Sequence, residues 1–276
     1  MGGFYWIASY PKSGNTWIRL LLASLLEGGA PLDFTAPIGF ASAVAAASDM
    51  DLFLDVESSD LLPAEQAELR HDLMQVIASE TTEPQFRKVH DSWGHTPRGR
   101  PLFPPEVTLG SVYVVRDPRD VAVSWAHHSG LELDEAIAFL GKPGALVAIA
   151  SKWKNQFEQR LDSWSGHVAS WLAADPAPLL VTYERLSADP EAVLAEVAAH
   201  CSIATSEAAL ASAVDATRFD RLQREELSKG FELGQKKGQK FFRRGLAGGW
   251  RDTLSPAQAD RILQDHGPMM ERLGYA

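Results

Sequence analysis

Residues 9–16 carry the ingredients of an anion site. Ser9-Tyr10-Pro11-Lys12-Ser13-Gly14-Asn15-Thr16 joins an apolar run to a helical pattern. A helix N-terminus presents unpaired N–H groups and a partial positive charge, and a glycine in the loop before it lets an anion reach the backbone. Lys12 adds a full charge, Ser13, Asn15 and Thr16 add donors, and Trp17 offers an indole face for base stacking. The bland alternative is an ordinary turn with a solvated lysine. The stretch is not a Walker loop, in which Lys follows the last Gly, because Lys12 precedes Gly14. Ser9-Tyr10-Pro11-Lys12 also matches an SxxK pattern, but the SDN and KTG partners of that pattern are absent.

Two further stretches repeat the theme. Arg116 closes a β-branched run, Asp117-Pro118 opens a helix, and Ser124 lies about 10 Å further along its axis on the same side. An arginine and a hydroxyl so placed can meet on one anion; the competing reading pairs Arg116 with Asp117 or Asp120. Residues 236–244 hold five basic side chains and no acidic one, followed by Gly245, Gly248, Gly249 and Trp250. Basic residues beside glycines suit close backbone approach to phosphate. Three such sites point to a ligand with several phosphate-like groups.

The elements that position these residues alternate. Residues 4–8 form an unbroken apolar run of strand length, as expected of a strand buried on both faces. A helix capped by Asn15 or Ser13 follows to Leu26, ended by Gly28-Gly29. Residues 111–115 predict a strand before the helix opened by Asp117-Pro118, which runs to about Ser129. Residues 86–90 predict a short strand after a helical stretch at 63–79, and residues 179–182 predict another before a helix at 189–200. This is a single α/β domain over residues 1–276, with a central parallel sheet of about four to five strands flanked by helices. Residues 35–60 and 91–105 fit the alternation poorly. The second holds four prolines between residues 94 and 105 and few apolar anchors, so both are expected as insertions shaping an acceptor pocket.

Composition narrows the class. The 276 residues carry 26 basic and 36 acidic side chains, a net charge of −10, which disfavours a general nucleic-acid binder. No apolar run reaches the roughly 18 residues of a membrane span. Cys201 is the single cysteine, so no disulfide framework exists and a reducing, cytoplasmic setting is expected. The eight histidines lack metal-ligand spacing, so no metal is expected.

Taken together, the motifs resemble those of sulfotransferases that use 3′-phosphoadenosine 5′-phosphosulfate (PAPS). Tyr10-Pro11-Lys12-Ser13-Gly14-Asn15-Thr16-Trp17 resembles their phosphosulfate-binding loop, and the stretch from Val114 to Ser124 their 3′-phosphate motif. Phe242-Arg243-Arg244-Gly245 with Gly248-Gly249-Trp250 is similar to their C-terminal RKGxxGDW segment. The resemblance implies that Lys12, Ser13, Gly14, Asn15 and Thr16 hold the 5′-phosphosulfate and that Trp17 and Tyr183 contact adenine. It gives the 3′-phosphate to Arg116, Ser124, Arg243, Arg244 and Gly245, and it assigns Thr217 and Phe219 as a T-x-F adenine contact. Lys88-Val89-His90 resembles the family's K-x-H, implying His90 as catalytic base with Lys12 and Lys88 neutralising charge on the transferring group. The chemistry agrees: a neutral imidazole can take a hydroxyl proton near neutral pH.

The expectation is therefore in-line sulfonyl transfer from PAPS to a hydroxyl, phenol or amine of a small molecule, releasing 3′-phosphoadenosine 5′-phosphate (PAP). The alternatives are a P-loop-type nucleotide phosphotransferase and a nucleotide-binding protein without turnover. Departures from the family pattern leave points open. Asp91-Ser92-Trp93 stands where Leu-Pro commonly follows the K-x-H, which offers Asp91 or His95 as helpers of the base. Gly249 replaces an Asp, removing one tether of the C-terminal loop, and the dimer motif is reduced to Arg251, Ser255-Pro256 and Asp260. Monomer and dimer stay equally open. Phe34, Phe40, Phe53, Trp93 and Trp125 suggest a hydrophobic or aromatic acceptor, and His127-His128 stands near its expected pocket.

Overall fold

The N-terminal apolar run is β1 (Phe4–Ser9), an inner strand with every residue buried. In the computed structural model, which describes residues 2–32, 42–147, 156–229, 242 and 245–276, β1 separates two apolar cores. Phe4, Trp6 and Ala8 face one, while Tyr5 and Ile7 face the other. An unbroken apolar strand is what a sheet covered on both sides requires. A helix α1 (Asn15–Leu26) packs on the second face through Ile18, Leu21, Leu22 and Leu25.

Next come α2 (Ala47–Leu54), α3 (Pro63–Ser79) and β2 (Gln85–Val89). Then β3 (Thr108–Val115) leads to α4 (Pro118–Ser129) and α5 (Leu133–Leu140). Two short strands, β4 (Leu146–Val147) and β5 (Gln159–Arg160), pair antiparallel ahead of α6 (Trp164–Leu172). The strand β6 (Leu179–Thr182) runs directly into α7 (Tyr183–Ala188) and α8 (Pro190–His200). Helices α9 (Glu207–Ala216), α10 (Phe219–Lys229) and α11 (Pro256–Leu273) complete the chain.

The main sheet has four parallel strands in the order β2-β1-β3-β6. From β1 the chain first builds β2 on one side and then crosses to β3 on the other. Parallel sheets wound in two directions leave a crevice at the carboxyl ends of the strands near the switch. Lys12, His90, Arg116 and Tyr183 follow those ends of β1, β2, β3 and β6 within a few residues.

Local signals were obeyed at α4, where the Asp117 carboxylate accepts from the Arg119 N–H at 2.9 Å and Pro118 opens the helix. They were not at α1. The residue before that helix is Gly14, left-handed at φ +109°, and no side chain caps the turn, so neither Ser13 nor Asn15 takes the expected role. Asn15 instead reaches under the loop, its Nδ2 donating to the Ile7 carbonyl at 2.8 Å.

The two expected insertions are largely structural. In the described part of the first, the backbone of Ser42 and Val44 pairs with Lys88 and covers the outer edge of β2, and Ala47–Leu54 is helical. In the second, Phe103 is wholly buried and stacks on Trp93 at 5.0 Å, with Trp171 closing the cluster. The reading of residues 94–105 as poor in apolar anchors is corrected by Phe103 at the centre of that cluster. No described helix is long and apolar enough to cross a membrane.

Candidate active site

The carboxyl ends of the strands open onto a cavity of about 520 Å³. Its floor is the β1–α1 loop. Lys12 sits at φ +70° and Gly14 at +109°, the region that L side chains rarely adopt. A Cβ on Gly14 would stand 2.8 Å from Tyr183 Cδ2, so only glycine allows both the turn and the close approach of that ring. The first turn of α1 carries no acidic residue and no side-chain cap, and Pro11, Lys12, Gly14, Asn15, Thr16 and Trp17 all line the cavity. An uncapped helix N-terminus under a glycine turn has the donors and the positive end to hold an anion.

One wall carries His90. His90 Nδ1 donates to the Ser9 carbonyl at 2.9 Å. A carbonyl can only accept, so the proton is on Nδ1 and the lone pair is on Nε2. Burial, followed by the charge of Lys88, pushes the His90 pKa well below the usual histidine value, so the ring is neutral at pH 7. The His90 carbonyl accepts from His167 Nε2 at 3.1 Å, and His167 Nδ1 accepts from the Tyr113 hydroxyl at 2.8 Å, which fixes the backbone behind the imidazole. Asp91 does not assist it. Its carboxylate is buried in a bidentate pair with Arg70, at 3.1 and 2.5 Å, and His95 is exposed.

Cations converge opposite. Lys88 and Lys12 are each lowered to about 8: burial comes first for both, then Arg19 and Lys12 for Lys88, and Arg116 for Lys12. Arg19 is buried on α1 and lowered to about 10 by burial. Lys12 Nζ lies 3.3 Å from His128 Nδ1.

The second anion motif closes another side. The Arg116 guanidinium lies over the Tyr183 ring at 4.1 Å and donates to the Lys12 and Leu246 carbonyls at 3.4 and 2.8 Å. It also pairs loosely with Asp120 at 3.7 Å, yet its buried Nε has no partner. Tyr183 tilts against Trp17 with ring centroids 6.0 Å apart. Asp120 accepts from the Gly248 and Trp250 N–H groups at 2.7 and 2.9 Å, and Arg119 covers the Trp250 ring at 4.1 Å. The tether that Gly249 lacks is thus supplied from α4.

Lys12, Gly14, Asn15, Thr16, Trp17, Lys88, His90, Arg116, Ser124, Tyr183, Phe219 and Gly245 meet at this one cavity. Two expected residues do not line it. Ser13 is wholly buried below the loop, and Thr217 is buried with its hydroxyl on the Ala213 carbonyl at 2.9 Å. Arg243, Arg244, Phe34 and Phe40, with the basic residues between 236 and 240, lie outside the described residues. No cavity-lining residue comes from 91–105, and of the described aromatics expected at an acceptor only Trp125 lines it; Trp93 and Phe53 pack against the core. Sequence reasoning offered Asp120 only as a partner of Arg116, which it is, passed over Gln156 and Gln159, and left His128 undecided. A signal existed for two of them: Asp120, Ser124 and His128 recur every four residues on one face of α4.

Comparison with known proteins places this architecture. Over 98% of this chain and 84% of its own length, Sulfotransferase 1A1 of Canis lupus familiaris is 23% identical. Cytosolic sulfotransferase 10 of Arabidopsis thaliana is 24% identical over 93% of this chain and 74% of its own. Among solved structures, a mouse sulfotransferase complexed with PAP superposes with a TM-score of 0.60 at 19% identity, covering 97% of this chain and 84% of that one. Retinol dehydratase in complex with retinol and PAP does so at 0.63 and 21%, covering 97% and 81%. The sulfotransferase domain family matches residues 5–274, and the chain belongs to that family.

Proposed function

We propose that this protein transfers a sulfonyl group from PAPS to a hydroxyl of a small, largely apolar or aromatic acceptor, with His90 as general base. The observation that carries the reading is the meeting, in one cavity, of an uncapped helix N-terminus, three cations (Lys12, Lys88 and Arg116) and a neutral imidazole. The residues fit a bis-anionic nucleotide. The buried Nε of Arg116 has no partner, the Gly14 turn leaves no room for a Cβ against the Tyr183 ring, and the rings of Trp17 and Tyr183 both line the cavity, offering faces to a flat base. PAP in two of the similar solved structures supports the same ligand.

In this reading Lys12 and the first turn of α1 hold the 5′ group, and Arg116 with Ser124 holds the 3′-phosphate. The bound donor supplies a sulfonyl group whose S–O bond to phosphate breaks as sulfur bonds the acceptor oxygen, leaving the electron pair on phosphate. His90 Nε2 takes the acceptor proton, and Lys12 and Lys88 neutralise the charge that develops. Val123, Trp125 and Val147 give the acceptor an apolar wall. Retinol and androsterone, bound in similar solved structures, have that character.

The test is calorimetric titration in chelator with PAP, ATP, AMP and adenosine 5′-phosphosulfate. PAP is expected to bind at least about tenfold more tightly than AMP, the gain of one well-made phosphate contact set. Equal affinity would remove Arg116 and Ser124 from the site and favour a phosphotransferase, for which ATP with magnesium is the next titrant.

A further inference from the structure

We propose that His128 is a positioning residue for Lys12, its Nδ1 accepting a hydrogen bond from the lysine ammonium and aiming that ammonium into the cavity. The inference rests on the reading of Lys12 as a nucleotide-binding group.

The two side chains come from elements 116 residues apart and lie 3.3 Å from each other. An ammonium has no lone pair, so Nδ1 is the acceptor and the ring proton sits on Nε2. That arrangement needs a neutral ring. Burial, then Lys12, Lys88 and His127, hold the His128 pKa down to about 4, so it is neutral throughout the working range. Trp125 flanks the ring at 5.7 Å, and α4 presents His128 on the same face as Ser124 and Asp120.

The surroundings explain why Lys12 benefits from an acceptor. It meets Arg116 from the end of β3 and Lys88 from β2, with His90 lining the same cavity just past β2, while Arg19 on α1 adds a charge beside Lys88. Asp120 is the carboxylate lining the same cavity among the described residues, and it is engaged by Gly248, Trp250 and Arg116. Repulsion and burial favour loss of the Lys12 proton, and the imidazole lone pair opposes it. A charged Lys12 is the form that grips an anion.

The experiment uses the unliganded protein with 13Cε-lysine labelling, Lys12 being assigned through Lys12→Arg. In the native chain Lys12 is expected to titrate near 8. In His128→Leu the midpoint should fall by about one pH unit, a tenfold loss of proton affinity, whereas His128→Asn, which keeps an acceptor, should stay within about 0.3 units. An unmoved midpoint in a folded His128→Leu overturns the proposal. Should that variant not fold, Lys12→Met gives the reciprocal reading: the His128 midpoint should rise, and a constant value overturns the proposal equally. Neither readout uses nucleotide, so a native protein that failed to prefer PAP would refute the function and leave this result standing. If PAP does bind, His128→Leu should weaken it more at pH 8.5 than at pH 7.

Discussion

His90 and Asp91 are neighbours in the chain with opposite employments. The imidazole is held by one backbone carbonyl at Nδ1, which leaves Nε2 with its lone pair at the cavity wall. The carboxylate is turned away from the cavity into Arg70 and the Arg160 N–H, where it is buried. The turn just past β2 makes this division, turning the imidazole toward the Ser9 carbonyl and the carboxylate toward α3. Replacing His90 by Ala is expected to lower turnover on the order of 100-fold or more while PAP affinity changes by no more than about twofold, since general-base removal acts on the chemical step. Calorimetry beside single-turnover kinetics checks this, and a parallel loss of both would make the residue structural.

Helix α4 organises the site at the scale of elements. Its face with Asp120, Ser124 and His128 reaches the C-terminal glycine segment, the expected phosphate and Lys12 in turn. Asp120 joins α4 to residues 248 and 250 through two charge-assisted hydrogen bonds, beside the Arg119 guanidinium on the Trp250 ring. Asp120→Ala should therefore loosen that segment and free Arg116, weakening PAP binding about tenfold, the effect of one or two such bonds lost. Circular dichroism should be unchanged. Native affinity in this variant would mean that the segment takes no part in binding.

At the scale of the whole molecule, an acidic chain has gathered cations at one mouth and buried several histidines in neutral form. His167 and His266 are pushed down to about 4, mainly by burial, and His90 is well below the usual value. In the unfolded chain each would titrate near the ordinary value of about 6.5. The folded pKa is depressed, so the stabilisation is complete above pH 6.5 and is lost as pH falls toward the folded pKa, where the unfolded state binds more protons. Each fully buried ring should cost on the order of 1 kcal/mol by pH 5.5, before most carboxylates titrate. Urea unfolding at pH 7 and pH 5.5 should show this fall. Equal midpoints would mean that the buried rings are protonated within the fold.

Much of this was legible in the chain itself. The apolar run before Ser9, the Asp117-Pro118 helix start and the strand ahead of Tyr183 are local signals, carried by alternation, caps and fixed φ over a few residues. The order of Lys12, His90, Arg116 and Tyr183 behind four parallel strands followed from them. Local rules do not say which loop faces which. They offered Asn15 as a cap, Asp91 as a helper and Trp93 as an acceptor contact, and each was taken by the interior: a β1 carbonyl, a buried arginine and an aromatic cluster. They were silent on His128 meeting Lys12 and on Asp120 holding residues 248–250. The sequence by itself determined the elements and the residue types at their ends, because those depend on neighbours a turn or a pleat away. Sheet order and packing decided the partners, because contacts between loops more than a hundred residues apart exist only after the strands are placed side by side.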